Sequence, residues 1–289
     1  MHRIEKLLLI AFFILLGDVA MAQQIIVGAY KITVGTYNLR YDNPADSGNL
    51  WINRAPVVTS LIRFYDFDIL GTQEGLKNQL DDISKTLPIY DRYGIGRDDG
   101  KDAGEHSAIF YNKERFTLKD KGDFWLSETP DKPTLGWDAT CCKRICSWVK
   151  LYDKLSAKTL WCFNVHYDHQ GEIARKESSK LILKKIKEIA GNGMVILMGD
   201  MNGGHSTVCY QTINTSGILK DSYDQTATPY TNNPSFNGFG NQVAGNEIID
   251  HIFISKQFKV KRWGILSDTY HGKYPSDHFP VLAEITYIP

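Results

Sequence analysis

Residues 194–204 read MVILMGDMNGG, an apolar run that is followed by two polar side chains and a pair of glycines. The run from Met194 to Met198 shows no alternation, which is typical of a strand buried on both faces. Asp200 and Asn202 are two positions apart and therefore project to the same side. Open α/β sheets usually carry their chemistry at such strand ends, although Asp and Asn are also common in turns. This stretch therefore predicts either a catalytic strand end or a buried strand followed by a polar turn.

Predicted strands and amphipathic helices alternate on both sides of this stretch. Glu172 to Ala190 is the clearest helix, with one apolar face and Gly191 as its C-cap. Two further predicted helices begin at Pro56, which suits a first helical turn, and directly after Glu74. Predicted strands cover residues 32–38, 68–74, 107–111, 148–151, 159–166, 194–198, 247–255 and 279–287, and predicted loops cover residues 90–104, 124–140 and 221–247. Recurring elements with two-sided burial predict one α/β domain from about residue 28 to residue 289.

The composition is that of an ordinary globular protein, with 43% hydrophobic and 23% charged residues. A chain of 289 residues is long enough for one large or two ordinary domains, and no repeat or linker divides it. The formal net charge is zero, which argues against a nucleic-acid-binding protein whose affinity comes mainly from a basic surface. Net charge says nothing about distribution, so it does not exclude a local basic cleft.

The first 22 residues have the pattern of a secretory signal peptide. Arg3 and Lys6 form its basic start. Leu7 to Leu16 is an apolar run that is too short to span a membrane as a helix. Ala20 and Ala22 supply small residues before a cleavage site, and an uncleaved anchor helix is the alternative. We therefore expect a secreted or periplasmic protein without a stable membrane anchor, and the sequence implies no protein partner.

The cysteines form no recognisable metal-binding or disulfide framework. They are Cys141, Cys142, Cys146, Cys162 and Cys209. An odd number leaves at least one thiol unpaired within the chain, although export would permit a disulfide. The absence of a Cys-x-x-Cys pair argues against a zinc site built on cysteine. Cys162 lies in an apolar strand pattern and is interpreted as a small core residue.

Polar side chains gather at six predicted strands: they end four of them, lie within a fifth and precede the last. They are Asn38, Glu74, the group His166, Asp168 and His169, the pair Asp200 and Asn202, the pair Asp250 and His251, and the run Ser276 to His278. One polar strand end is ordinary, but six that are dominated by Asp, Glu, Asn and His predict a metal-assisted hydrolytic site. Carboxylate and amide oxygens suit a hard cation, Mg²⁺ or alternatively Mn²⁺.

Each of these residues also has a structural interpretation. Glu74 could be an acid favoured at a helix N-terminus, and His166 could be a core histidine. Asp250 must be paired if it is buried, and a histidine is a natural partner. Ser276 and Asp277 could simply turn the chain. Their joint occurrence favours a catalytic site.

Six short motifs carry a family resemblance. They are Thr36-Tyr37-Asn38, Thr72-Gln73-Glu74, Asn164-Val165-His166, Gly199-Asp200-Met201-Asn202, Ile249-Asp250-His251-Ile252 and Ser276-Asp277-His278. In this order they resemble the endonuclease/exonuclease/phosphatase superfamily, the deoxyribonuclease I-like group. Residues 93–100, 104–107 and 164–172 resemble its secreted or periplasmic bacterial members. The resemblance implies an α/β four-layer sandwich in which two mixed β-sheets pack face to face between helices.

The resemblance also implies how the polar residues share the reaction. Glu74 would be the principal Mg²⁺ ligand, supported by Asn38 and, from across the site, by Asp277. Asp200 would orient or deprotonate the attacking water. Asn202 would hold that water or the phosphoryl oxygens.

The remaining expected roles concern the phosphate group. By resemblance, His166 contacts the scissile phosphate. His278 stabilises the developing charge or acts as the acid or base, and Asp250 fixes its tautomer. Arg144 is a further candidate for a phosphate contact, with a surface arginine before a strand as the alternative. Which residue is the general base stays open.

These roles describe a metal-dependent phosphoesterase that hydrolyses a phosphate ester by in-line attack of an activated water. A phosphodiesterase or nuclease is the leading expectation. The alternatives are a phosphomonoesterase acting on a small or lipid-headgroup phosphate and a non-catalytic phosphate- or glycan-binding protein on the same fold. Expected ligands are a phosphorylated small molecule, a lipid headgroup or a nucleic acid, and the neutral net charge favours a small substrate.

Overall fold

The computed structural model describes residues 31–231, 233–241 and 247–288. The predicted signal peptide and the predicted start of the domain at residue 28 both lie outside these ranges. From Ile32 onward the described residues belong to one compact unit. Within the described ranges, no helix is long and apolar enough to cross a membrane.

The described chain alternates strands and helices. The strands are β1 (Lys31–Asn38), β2 (Ile69–Gly75), β3 (Tyr90–Tyr93), β4 (His106–Asn112), β5 (Phe116–Trp125), β6 (Ile145–Asp153), β7 (Lys158–His166), β8 (Met194–Asp200), β9 (Leu219–Asp221), β10 (Asp250–Ser255), β11 (Phe258–Ile265) and β12 (Val281–Tyr287). The α-helices are α1 (Trp51–Tyr65), α2 (Lys77–Thr86), α3 (Glu172–Ala190) and α4 (Val208–Asn214). A short 3₁₀ turn covers Gly238–Gly240.

The strands form two six-stranded sheets. The first has the order β11-β12-β1-β2-β4-β3, and the second has the order β5-β6-β7-β8-β10-β9. Both sheets are mixed, because β1 pairs with β2 and β7 pairs with β8 in parallel, while other neighbouring strands pair antiparallel. The predicted fold class is therefore confirmed.

Three apolar clusters show that the sheets and helices form four layers. The central cluster joins residues of both sheets, such as Val34 and Ile196. A second cluster packs the second sheet against α3 and α4, and includes Ile182. The third packs the first sheet against α1 and α2, and includes Ile62. The order of layers is thus helix, sheet, sheet, helix, as the family resemblance implies.

Strand β8 occupies a central place in the second sheet and is buried on both faces. Ile196 and Met198 belong to the cluster between the sheets, whereas Val195 and Leu197 belong to the cluster beneath the helices. All four side chains are at most 2% exposed. This placement explains why residues 194–198 carry no polar position, because each face of the strand meets an apolar layer.

Five segments of regular structure were not predicted from the pattern. Strand β5 has charged or polar residues through its middle, since it lies at the edge of its sheet and is half exposed. Strand β11 alternates buried Phe258 and Val260 with exposed lysines, which is the pattern of a half-buried strand, so it could have been predicted from the sequence. Strand β3 lies in the predicted loop 90–104, and β3 and β9 are too short for a pattern to form. Helix α4 is also short.

Helix α1 begins at Trp51, so the predicted start at Pro56 is wrong. The indole nitrogen of buried Trp51 donates to Asp82 of α2, and this tertiary contact fixes the true start. Pro56 lies inside the helix, where it lacks the N–H that would bond to the carbonyl of Ile52. Ile52 is 77% exposed, so that turn of the helix faces solvent.

The cysteines divide into one disulfide and three buried thiols. Adjacent Cys141 and Cys142 are bonded to each other, in a loop before β6. Cys146, Cys162 and Cys209 are free and buried. The interpretation of Cys162 as a core residue is confirmed, because it is fully buried between the sheets.

Candidate active site

Parallel pairing brings the polar strand ends to one edge of the sandwich. Asn38 ends β1 beside Gln73 of β2, and His166 ends β7 directly beside Asp200 of β8. Asp250 begins β10 opposite Asp200, because these two strands are antiparallel. Carboxyl ends of parallel strands meet at the same edge of a sheet, so the side chains converge.

Asn38 holds two of the predicted catalytic carboxylates. Its amide nitrogen donates to Glu74 Oε1 at 3.0 Å and to Asp200 Oδ2 at 3.1 Å. Its Oδ1 accepts from the backbone N–H of Arg40 at 3.0 Å. As placed, Asn38 supports the two carboxylates with its nitrogen, and it would have to turn its amide to offer an oxygen to a metal. Its assignment as a direct ligand stays a prediction.

Glu74 lies in a left-handed backbone conformation with φ at +61°. The pairing of β2 with β4 shifts register between Thr72 and Gly75, so the strand is irregular at this residue. Such a shift re-aims a side chain away from the regular alternation. Glu74 Oε2 accepts from the backbone N–H of Tyr41 at 3.2 Å, which fixes the carboxylate at the edge of the pocket.

Asp200 is buried beneath the pocket and is held by the turn that follows it. Its Oδ1 accepts from the backbone N–H of Asn202 at 2.8 Å. Asn202 has φ at +47°, and its amide nitrogen donates to the carbonyl of Tyr167 at 3.0 Å. Burial, followed by the charge of neighbouring Asp250, raises the pKa of Asp200 above its ordinary value. Both side chains line the pocket, although Asn202 lies in the turn after β8 and not in the strand itself.

His278 and Asp250 form a buried pair. The His278 Nδ1–H donates to Asp250 Oδ2 at 2.8 Å, and His278 Nε2 lies 3.8 Å from Asp200 Oδ2. Burial alone would lower the pKa of His278, but the charge and the hydrogen bond of Asp250 raise it to about 10. His278 is therefore protonated at neutral pH, with Nε2–H directed towards Asp200 and the pocket.

His166 has the opposite electrostatic character. Its Nε2 lies 3.6 Å from Asp200 Oδ2, and its Nδ1 lies 3.6 Å from Glu105 Oε2. Burial and then the charge of Arg144 lower the pKa of His166 to about 3. One histidine of the site is thus neutral and the other cationic, which is the separation that acid–base roles require.

Asp277 lines the same pocket and lies close enough to Glu74 to be affected by its charge. Burial raises the pKa of Asp277 to about 6, and the charge of Glu74 adds to this effect, while His278 and Arg40 oppose it. Arg40 Nε lies 3.9 Å from Asp277 Oδ2. The neighbouring Ser276 hydroxyl donates to the carbonyl of Asn38 at 2.7 Å, so this run is tied to the end of β1.

Arg144 lies inside the pocket wall and is not a surface arginine. It is 5% exposed, and its Nη2 lies 3.0 Å from His169 Nδ1. Its Nε lies 3.5 Å from Asp168 Oδ2. Its buried Nη1 has no hydrogen-bond partner among the described residues. A buried guanidinium with a free N–H inside a pocket is suited to bind an anion.

The pocket above these residues has a volume of about 600 Å³. It is lined by Arg40, Tyr41, Glu74, Arg97, Glu105, Cys142, Arg144, His166, His169, Asp200, Asn202, Phe236, Ile249, Asp277 and His278. Of the nine predicted site residues, seven line it, while Asn38 and Asp250 are buried directly behind it. The size is that of a site for a small molecule.

Several lining residues were not among the predicted site residues. Arg97 and Glu105 form a two-pronged ion pair, with N–O distances of 2.5 and 2.8 Å, in the loop that the sequence places near Gly104. Their stretch was noted only as part of the family resemblance. Arg40 follows Asn38 closely in the chain, and Phe236 packs edge-on against the His278 ring at 5.0 Å. No periodicity marks these loop residues, because their places depend on tertiary contacts.

The carboxylates of the site could hold a metal ion. One side-chain atom each of Asp200, Asp250 and His278 lies within 4.8 Å of the others, but protonated His278 has no lone pair to offer. Glu74 and Asp277 supply further carboxylates close enough for the charge of Glu74 to raise the pKa of Asp277. The buried Asp250 Oδ1 has no hydrogen-bond partner in the described part of the chain. Several carboxylate oxygens lie close together here with few cations to balance their charge. A hard divalent cation prefers such oxygen ligands.

Acidic, histidine and arginine side chains converge at one edge of a two-sheet sandwich, an arrangement suited to the hydrolysis of a phosphate ester. A model of the endonuclease/exonuclease/phosphatase family matches residues 35–278. The chain belongs to this family.

Solved structures of family proteins are close to this chain. A family protein of Bacteroides thetaiotaomicron is 45% identical with a TM-score of 0.86, covering 90% of this chain and 98% of that one. A mannosyl-6-phosphatase of the same organism is 46% identical with a TM-score of 0.85, covering 89% and 100%. D. rerio TDP2, solved with a single-strand DNA product, is 18% identical with a TM-score of 0.70, covering 89% and 99%, which shows a shared fold alone.

Proposed function

We propose that this protein is a Mg²⁺-dependent phosphomonoesterase that removes the phosphate of a phosphorylated sugar, such as a hexose 6-phosphate. The observation that carries the proposal is the 46% identity to a mannosyl-6-phosphatase across that protein's whole length. The sequence alone favours a phosphodiesterase or nuclease. The comparison supports the monoesterase alternative better, since the DNA-processing relative shares only the fold.

The pocket supports a small, doubly charged substrate. Its volume of about 600 Å³ accommodates a hexose phosphate and is a concave pocket of the size that small ligands occupy. Arg40, Arg97 and Arg144 line it, and His278 is cationic at neutral pH because its pKa is raised to about 10. The same pocket is lined by four carboxylates, and Arg97 is already paired with Glu105. A phosphomonoester carries more negative charge than a diester, and buried Arg144 and cationic His278 are the groups that would bind it.

Glu74 and Asp277, with Asn38 behind them, would hold the Mg²⁺ ion. When bound, Mg²⁺ neutralises phosphoryl charge and aligns the ester for in-line attack. Manganese is the alternative, because the same oxygen ligands suit it. The raised pKa of Asp277, to which the charge of Glu74 contributes, supports a cation beside these two carboxylates.

The remaining residues act on the water and the phosphate. The raised pKa of Asp200 makes it a stronger base, and Asn38 and Asn202 orient its carboxylate for a proton from the attacking water. Neutral His166 and cationic His278 stand on either side of Asp200 and would hold the phosphoryl oxygens. General acid–base catalysis of this kind contributes about 10²- to 10⁴-fold to the rate.

The expected location is outside the cytoplasm. The basic, apolar and small-residue pattern of the first 22 residues supports export by a signal peptide. The protein would then be secreted or periplasmic, and would meet its sugar phosphate there. Fractionation of cells that express the full chain, with N-terminal sequencing of the mature protein, tests this; retention of Met1 in a cytoplasmic protein would contradict it.

A substrate panel tests the proposed reaction. We expect phosphate release from hexose 6-phosphates in the presence of Mg²⁺ and loss of that release with EDTA. Phospholipid headgroups and single-stranded DNA should be poor substrates. Asp200→Asn should lose activity on the whole panel while its thermal unfolding stays that of the wild-type protein. Hydrolysis of DNA alone would favour the nuclease, and full activity of Asp200→Asn would remove the basis of the mechanism.

A further inference from the structure

Behind the candidate active site, on the side of the second sheet that carries α4, lies a separate cluster of two histidines and a carboxylate. His205 follows β8, Asp221 ends β9 and His251 belongs to β10. One ligand atom from each of the three residues lies within 4.8 Å of the others. Asp221 and His251 are at most 1% exposed. None of the three lines the pocket of the candidate active site, and none has a role in the proposed reaction.

The two ring nitrogens of His251 both face oxygen atoms. Nε2 lies 3.0 Å from the carbonyl oxygen of Gly203, and Nδ1 lies 3.1 Å from Asp221 Oδ2. A neutral imidazole has one N–H, so it can donate to only one of these acceptors. If Nε2–H donates to Gly203, the Nδ1 lone pair faces the carboxylate. A second proton or a cation must then lie between them.

His205 favours the cation. Its Nε2 is buried and has no hydrogen-bond partner among the described residues. A buried polar atom without a partner calls for an unseen ligand such as an ion or a water. A protonated His251 alone would leave this nitrogen unexplained.

We propose that His205, Asp221 and His251 form a structural site for a transition-metal ion of the Zn²⁺ class. Two ligands about 2.0–2.2 Å from a tetrahedral zinc ion lie about 3.3–3.5 Å apart, which is close to the 3.1 Å between His251 Nδ1 and Asp221 Oδ2. Imidazole nitrogens prefer Zn²⁺ to Mg²⁺, so the site differs in chemistry from the oxygen-rich active site. A solvent molecule would complete the tetrahedron.

The surroundings match those of a metal-bound histidine. The Nε2–H of His251 donates to a backbone carbonyl, which fixes the tautomer that leaves Nδ1 free for a metal. The rings of Tyr210 and Tyr223 each lie 4.8 Å from the ring of His205 and restrict access by water. The acceptor carbonyl belongs to Gly203, next to Asn202. The ion would therefore tie the turn behind the active site to β9 and β10.

Zinc retention by the full chain tests the site. The purified protein is incubated with Zn²⁺, treated briefly with EDTA, passed through gel filtration and analysed for metal by mass spectrometry. We expect about one zinc per chain in the wild-type protein and at least roughly a tenfold lower content in His205→Ala. Glu74→Gln, which removes an oxygen ligand of the active site, should retain zinc as the wild-type protein does.

A spectroscopic measurement separates metal ligation from a purely structural role. The protein loaded with Co²⁺ should show the visible absorption of a tetrahedral site, and His205→Ala should lack it. His271→Ala, which changes an exposed histidine, is the matched control and should behave as the wild-type protein. Failure of the wild-type protein to retain zinc or show these bands, or equal retention by His205→Ala, would mean that His251 and Asp221 form only an ion pair.

Discussion

Replacing Asp250 with asparagine tests whether the charge of Asp250 keeps His278 protonated. Asp250 is fully buried, and its Oδ2 accepts from His278 Nδ1 at 2.8 Å. The amide oxygen of the introduced asparagine can still accept this hydrogen bond, so the ring orientation is kept while the negative charge is lost. The pKa of His278, held at about 10 mainly by Asp250 against the effect of burial, should fall towards its ordinary value.

The size of the effect follows from the lost charge. A hydrogen bond to a buried charged group contributes about 1.5–3 kcal/mol. Since each 1.36 kcal/mol is a factor of ten in rate, kcat should fall about 10- to 150-fold at neutral pH. The loss should be larger at pH 8.5 than at pH 6, because a lowered pKa leaves the variant His278 neutral at high pH and still protonated at low pH.

The assay is the rate of phosphate release from a hexose 6-phosphate at both pH values, alongside thermal unfolding. Asp268→Asn is the control, because it removes the same charge from an aspartate that accepts from Tyr65 in an exposed hydrogen bond. The free energy of unfolding should fall in Asp250→Asn, because the raised pKa of His278 contributes stability at both pH values and Asp250 is its main cause. Both rates are therefore measured well below the melting temperature of the variant. A kcat within about twofold of the wild-type value at both pH values would refute the role of Asp250.

Three further substitutions test other parts of the structure. Arg144→Lys should raise the inhibition constant for inorganic phosphate about tenfold, because the free Nη1–H is lost; an unchanged constant in a phosphate-inhibition assay would exclude the contact. Asp153→Asn should lower the free energy of unfolding by about 3 kcal/mol in urea at pH 7, because the buried ion pair with Arg115 is broken. Burial alone would raise the pKa of Asp153, but Arg115 lowers it overall. The difference in unfolding free energy between the variant and the wild-type protein should therefore shrink as pH falls below about 4, and a constant difference would contradict the ion pair. Gly199→Ala should lower stability by at least about 2 kcal/mol, because φ is +148° and an added Cβ would lie 2.1 Å from the carbonyl oxygen of Val165; an unchanged urea midpoint would contradict this.

The parts of the fold with a strong local pattern were predictable from the sequence. Strand β8 has no polar position because layers pack on both of its faces, and helix α3 ends at Gly191 as its C-cap predicts. Edge strand β5 has a charged, exposed middle, so no pattern distinguishes it from a loop. The start of α1 depends on a contact between Trp51 and Asp82, which no local pattern contains.

The same division applies to the candidate site. Residues at strand ends, such as Asn38, Asp200 and His166, were predictable because parallel strands bring their carboxyl ends together. Arg97 and Glu105 lie in a loop whose position is set by contacts distant in sequence. The sequence alone does not tell whether these two residues lie on the surface or in the pocket.

The most direct test compares two esters of one sugar. Mannose 6-phosphate and its 6-(methyl phosphate) diester differ only in whether the phosphate carries a second ester bond. With Mg²⁺ present, we predict that kcat/KM for the monoester exceeds that for the diester by at least about a hundredfold, since buried Arg144 and cationic His278 match a dianion. Equal or faster hydrolysis of the diester would contradict the assignment as a phosphomonoesterase and favour a phosphodiesterase instead.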